Sequence, residues 1–437
     1  MKKIVLFLIS FLFITNVKAS GFYIYDDNLY KGENKIYYSD ILKDKDNNII
    51  ILGYEIVDKV KSHNSYLYTY QNVLIKYQDD KTIFKVKGNK KTLKTNSILK
   101  DLKLEDQRLY IDEYNDYYVI MNDGNVSQIN KYNDEGRIIY SKGYSGQVND
   151  FLMLNDNTII LVGEKPGFIK RIARQTGEII WDNIEENSAF FSLIIKDHNL
   201  FIVGKSGEEP ILVKYNIEGY KEYSSSLEGN FFTKIKLLKD GYIILGKSLN
   251  GGILTKYNFQ EKIIWQLDKL KSDMEYLDLY EKDGKYLVVG ILKEGYNKYF
   301  KLILVDTNGN LIKEKKYDII DKPVFYNLDS ETFLFVSEER LIILDGNLEE
   351  VDKKRDERYE GINKIVNLKE DLYFLKADQL ILLHKGDRES VLSKLLLIII
   401  IAFLVILLLI SNNSKAKKEE SSSHKVIHKR RLKNKNN

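Results

Sequence analysis

The sequence predicts an all-β protein: a β-propeller of seven or eight four-stranded blades, with the count of copies favouring eight, plus one C-terminal transmembrane helix. Three observations carry this expectation. Short apolar bursts recur in a fixed order, and the matching positions Tyr132, Ala173, Tyr215 and Tyr257 lie 41, 42 and 42 residues apart. Each copy holds four strand-like segments, the content of one propeller blade. Near the end stand sixteen uninterrupted apolar residues, LLLIIIIAFLVILLLI, at 395–410.

The clearest strand of each unit is a continuous apolar run: NIIILGYE from Asn48, DYYVIMND from Asp116, NTIILVGE from Asn157, NLFIVGKS from Asn199, GYIILGKS from Gly241, KYLVVGIL from Lys285, TFLFVSEE from Thr332 and DLYFLKAD from Asp371. Such runs, bounded by turn residues, suit strands covered on both faces. A second strand follows each, as in VLIKYQ, QINKYN, ILVKYN and ILTKYN. A third follows a polar turn, as in RIIYSK, EIIWDN and KIIWQL, and a fourth precedes the first, as in FFTKIKLLKDG, joined by an Asp-Gly or Asn-rich hairpin turn. Repetition has a physical reason: one four-stranded sheet cannot cover both its faces, whereas stacked neighbours bury them. The final unit ends near Arg388 without a full blade, so GFYIYDD from Gly21 is predicted to complete it and close the ring. The lysine-rich KGNKKTLKTN at 87–96 reads as a surface insertion.

The pattern DGYIILG, ILTKYN, KIIW resembles bacterial propeller repeats of the quinoprotein-like type, in which an Asp-Gly turn leads a YIVVG strand, an LVKYD strand and a tryptophan strand. The resemblance covers roughly residues 48–385 and implies an exported, membrane-anchored propeller, a fold that hosts many functions. Trp occurs only at Trp181 and Trp265, and the Gly closing the first strand is replaced at Asn122 and Ser337.

The ends supply an address. Residues 1–19 read as a signal peptide, with Lys2 and Lys3, an apolar stretch, and cleavage between Ala19 and Ser20. The domain at 20–390 is the extracytoplasmic propeller, 391–411 the span bounded by Val391 and Ser411, and 412–437 a cytoplasmic tail. The tail after the span carries +7, which the positive-inside rule assigns to the cytoplasm. With +7 in the tail and +3 in the leader, the chain's net +4 leaves about −6 on residues 20–410. A body so charged has no concentrated basic face for nucleic acid.

No catalytic, cofactor-binding or metal-binding residues are assigned. There is no Cys, and of the five His, His63, His198 and His384 are scattered through the body. DKDNN from Asp44 imitates the start of a calcium loop but lacks its Gly and its late acid, and aligns with hairpin turns. The acid pairs Glu185-Glu186, Glu208-Glu209 and Glu349-Glu350 read as solvated loop charges. The expected role is therefore that of a non-enzymatic interaction module, held at the lipid bilayer and binding a protein or glycan at a propeller face, with no cofactor. A scaffold or assembly factor for other membrane proteins is the alternative, and a quinoprotein-like enzyme the third.

Overall fold

A computed structural model describes residues 20–387, apart from 32–35, 63–64, 79–80, 96–105, 227–230, 249–250, 271–273, 283, 321, 329–331, 369–370 and 377–378. By its contacts the chain divides into two units. Asp26–Leu382 is one; Met1–Tyr25 with Leu383–Asn437 is the other, of which only 20–25 and 383–387 are described. The predicted leader at 1–19 and the predicted span from Val391 to Ser411 lie outside the described residues, as does His63. Among the described residues no helix is long and apolar enough to cross a membrane.

The first described strand is β1 (Ser20–Lys31), which contains the predicted cleavage residue Ser20. A sheet follows of β2 (Ile36–Lys43), β3 (Ile49–Ser62), β4 (Ser65–Gln78) and β5 (Lys81–Thr95), and then one of β6 (Asp106–Ile111), β7 (Tyr117–Asp123), β8 (Val126–Tyr132) and β9 (Ile138–Ser145). The next four, β10 (Gln147–Met153), β11 (Thr158–Glu164), β12 (Gly167–Ala173) and β13 (Ile179–Glu185), join β14 (Ser188–Lys196), β15 (Asn199–Ser206), β16 (Glu209–Asn216) and β17 (Lys221–Ser226) in one eight-stranded sheet, where Glu164 pairs with Ala189. Three further four-stranded sheets are β18 (Phe231–Leu237) to β21 (Ile263–Leu270) through β19 (Tyr242–Ser248) and β20 (Gly251–Tyr257); β22 (Met274–Lys282) to β25 (Leu311–Ile319) through β23 (Lys285–Glu294) and β24 (Asn297–Val305); and β26 (Val324–Asn327) to β29 (Glu350–Arg355) through β27 (Thr332–Ser337) and β28 (Arg340–Asp345). Last come β30 (Ile362–Leu368), β31 (Asp371–Lys376) and β32 (Gln379–Asp387), in a sheet ordered β1-β32-β31-β30. The first strand thus joins the last sheet, as predicted for GFYIYDD.

Lettering each group of four A to D in chain order, the B and C strands are the predicted apolar runs. β11 and β23 are buried along nearly their whole length, while the D strands β13, β25 and β29 alternate between exposed and half-buried. Successive groups pack face to face. Leu52 and Leu74 meet Val119, Ile120 meets Leu161, Val203 meets Ile244, Leu245 meets Val288, and Leu302 meets Phe335. The sequence then returns to its start, because Ile51 and Val73 share a core with Val366 and Leu375.

Two devices repeat at these seams. Six A strands (β2, β10, β14, β18, β22, β30) carry a one-residue bulge, after which stand Asp40, Asp150, Ser192, Lys234, Asp278 and Lys364. The bulge turns that side chain toward the neighbouring A strand. Asp150 accepts from the Leu193 N–H at 3.0 Å and the Ser192 hydroxyl at 3.0 Å; Asp40 accepts from the Leu109 N–H at 3.0 Å and pairs with Lys364. The second device lies at the periphery. An aromatic ring near the start of a D strand lies under the C–D turn glycine of the next group: Phe84 under Gly136, Tyr140 under Gly177, Trp181 under Gly219 and Trp265 under Gly309. Trp181 and Trp265 also donate their indole N–H to Ile217 O at 3.0 Å and Thr307 O at 2.7 Å.

Lysine-rich 87–96, expected to be an insertion, is instead mostly part of β5, which extends its sheet along β4 as far as Thr95 opposite Tyr66. Each of β3, β4 and β5 runs 14 or 15 residues, so this sheet extends beyond the others at one end.

Candidate interaction surface

Antiparallel order sorts the connections between two ends of the sheets. A–B and C–D turns share one end; B–C turns and the links to the next group share the other.

The A–B and C–D end is closed by its own side chains. In DKDNN, the Asp44 carboxylate accepts from the N–H groups of Asp46 at 2.9 Å and Asn48 at 2.8 Å and pairs with Lys76 at 3.3 Å. These oxygens are committed to a turn, and among the described residues no group of His, Cys, Asp and Glu is arranged to hold a metal ion. In three of the C strands ending in KY the lysine serves the A–B turn of its own group: besides Lys76, Lys131 pairs with Asp116 at 2.8 Å and Lys256 with Asp240 at 2.8 Å, whereas Lys214 pairs with Glu222 at 3.2 Å. Where Ile172 interrupts that position, Arg174 stands two residues on, fully buried, with 2.7 Å ion pairs to Asp112 and to Glu113. The hydrogen bond from Arg174 holds the Glu113 carboxyl down to about 2. Buried charges persist only when paired and hydrogen-bonded, so this end is structural in composition.

The B–C end is different. Between the sheets β22–β25 and β26–β29 it opens a cleft of about 910 Å³ walled by the β23–β24 turn, the end of β25, the β27–β28 turn and the end of β29. Two large side chains stand out into solvent there, Tyr296 fully exposed and Ile320 at 74%. Around them charges of both signs are held in pairs, Arg340 with Glu338 at 3.4 Å and Arg355 with Glu339 at 2.8 Å. Lys316 lies 3.5 Å over the ring of Tyr299, which lines the cleft, while pairing with Glu294 at 2.5 Å. A second cavity, about 330 Å³, lies between the sheets β2–β5 and β6–β9.

Among the residues singled out in the sequence, His198 occupies the β14–β15 turn as read, with φ 63°, and His384 belongs to β32. One of the acid pairs departs from expectation. Glu185 is no loop charge: it is half-buried and accepts from Tyr215 Oη at 2.7 Å and Lys221 Nζ at 2.8 Å. Burial alone would raise its pKa, but these partners outweigh that and leave it lowered. Glu208 is exposed as expected, and Glu349 lies exposed but pairs with Lys313 and Lys315. Tyr296 and Ile320 went unread because an apolar residue in or beside a turn has no periodicity to mark it. The only sequence signal for Tyr296 is a bulky residue after Gly295, where the equivalent turns carry Asn125 or Glu208.

No family model matches the chain, and no curated protein matches it. Among solved structures it is similar to BamB from Moraxella catarrhalis, at 10% identity and TM-score 0.50 over 81% of this chain and 98% of that one. It is similar as well to the Dos1 propeller, at 10% identity and TM-score 0.54 over 82% and 94%, and to the computationally designed Ika8 protein, at 14% and 0.51 over 75% and 96%. At such identities the likeness is one of fold. With the repeated four-stranded sheets, it makes this chain a β-propeller.

Proposed function

We propose that this propeller is a non-enzymatic interaction module that binds a protein partner at the B–C end. The observation that carries the reading is the cleft beside Tyr296 and Ile320. An exposed tyrosine and an exposed aliphatic side chain flank a concavity ringed by paired charges, the composition of a contact centre with a polar rim. The opposite end, by contrast, spends its charges on its own turns. In this reading β1 completes an eighth blade with β30, β31 and β32, residues 20–390 lie outside the cytoplasm, and a span between Val391 and Ser411 fixes the module to the bilayer with its basic tail inside. Site-specific photo-cross-linking in intact cells tests the contact. A cross-linkable residue at position 296 should give a discrete adduct that Ile320→Asp abolishes, and one at Val351, exposed on the D strand β29, should give none. Equal adducts from both positions would overturn the assignment.

A further inference from the structure

The charges around the cleft beside Tyr296 and Ile320 are not all spent within the molecule, and strand register says which of them face it. In β24, Lys298 stands opposite Ile319 of β25 and Lys293 of β23, in the row that continues Phe300 and Leu302 outward from the core shared with β27 and β28. On the facing sheet, Lys353 stands opposite Ile342 and Arg355 opposite Arg340, in the row that looks back across the same core. Lysines therefore flank the cleft on both walls, Lys293 and Lys298 on one and Lys353 on the other, and all three are exposed. The acids of the lining are already engaged. Glu339 pairs with Arg355 at 2.8 Å, while Glu338 pairs with Arg340 at 3.4 Å and accepts the Ile320 N–H at 2.8 Å. Asp318 stands opposite Tyr299, on the other face of its sheet, where Tyr299 packs against the core shared with β19 and β20. No described residue forms an ion pair with Lys293, Lys298 or Lys353. The cleft thus presents three unspent positive charges, on a chain whose residues 20–410 carry about −6.

Resting on the reading of this cleft as the contact with a protein partner, we propose that the partner enters it with an acidic, amphipathic segment. An apolar side chain of that segment lies against Tyr296 and Ile320, and carboxylates on either side of it reach Lys298 on one wall and Lys353 on the other. A lysine ammonium is a compact point charge that needs no particular orientation of the carboxylate it meets. Water displaced by the apolar anchor lowers the local dielectric and strengthens both pairs. Glu338 and Glu339 in the same walls disfavour a nucleic-acid backbone, whose unbroken row of phosphates would run past them. A polypeptide can set its carboxylates only where the lysines stand. The volume, about 910 Å³, lies near the upper end of the range for small-molecule sites, which leaves room for a short stretch of extended chain.

Photo-cross-linking from position 296 of the full-length chain in intact cells tests this. Peptide mapping of the purified adduct reads the partner's side, and the cross-linked segment should hold more Asp and Glu than Lys and Arg. Lys298→Glu with Lys353→Glu should lower the adduct yield by about tenfold or more, because like charges then face each other. Lys298→Arg with Lys353→Arg should keep the yield. Lys81→Glu with Lys262→Glu, the same change of charge at exposed positions on the opposite end, should leave it unchanged. The midpoint of thermal unfolding checks the fold of each variant. Should the double reversal fail to fold, Lys293→Glu alone still decides, with a fall of about threefold or more. An adduct that survives the reversals undiminished, or that maps to a segment without excess acid, whether from another protein or from a second copy of this chain, overturns the inference and leaves the cleft a contact site. No adduct in the parent chain, or one to lipid or nucleic acid, overturns the inference and that reading together.

Discussion

Gly219 shows how one atom decides a seam. Its φ is +91°, and a Cβ built there would stand 2.8 Å from the Trp181 ring. Gly219→Ala should therefore cost about 1–3 kcal/mol, through left-handed strain and a displaced indole together. Gly124 also has positive φ, at +62°, but a Cβ there meets nothing within 4 Å, so Gly124→Ala should cost only the conformational part, about 1 kcal/mol. Denaturant unfolding of the two variants separates sterics from strain. The D strand β25 carries Lys313 at the matching position and the next C–D turn has Leu348 at φ 63°; β17 carries Tyr223 there and the next C–D turn has Glu261 at φ 56°, so glycine is confined to the seams where the ring lies under the turn. Glu55 supplies the pH dependence. Burial raises its pKa, but hydrogen bonds from Lys87, Gln71 and Lys85 outweigh burial and bring it from 4.5 to about 2. The folded state then stays ionised while the unfolded chain takes up a proton below about pH 4.5, so this contribution is present above that pH and is lost as pH falls toward 2. Melting curves between pH 6 and 3 should fall less steeply for Glu55→Gln than for the parent chain.

The elements hold together through their edges as much as through their cores. Asp150, at the bulge of β10, satisfies an N–H and a hydroxyl of β14. Asp150→Ala should remove about 1–3 kcal/mol by leaving the Leu193 N–H without its partner, whereas Glu178→Ala, which loses an exposed ion pair to Lys142, should cost only a fraction of that. Thermal denaturation of both variants measures the difference. The B and C strands were legible in the sequence because they are buried on both faces and write unbroken apolar runs. The A strands were only partly legible, since each bulge shifts the alternation by one residue, as between Tyr38 and Asp40. The far half of β5 was missed for a further reason. Lys90, Lys91 and Lys94 offer no apolar face, and it is pairing along β4, Leu67 opposite Lys94 for instance, that makes the segment a strand. The candidate site was the least legible part. Its cleft forms where two turns and two strand ends from adjacent sheets meet, and none of these segments carries a motif alone.

At the scale of the whole molecule, the fold depends on the last sheet meeting the first. An open stack of sheets couples each unit only to its neighbours and can lose its ends while the middle persists; a ring without ends unfolds as one. The seam that distinguishes the two is the core shared by Ile51 and Val73 with Val366 and Leu375, about 300 residues away in sequence. Trp181 in β13 and Trp265 in β21 lie in sheets remote in sequence from that seam, so their fluorescence reports the middle of the chain while far-ultraviolet circular dichroism reports all of its strands. Leu375 is fully buried, and Leu375→Ala removes about 2–5 kcal/mol of packing at the seam. The direct measurement is guanidinium unfolding of this variant followed by both signals. A closed ring predicts one transition, shifted to lower denaturant equally in both; tryptophan fluorescence that keeps the parent midpoint while the dichroism loses part of its amplitude early would contradict closure.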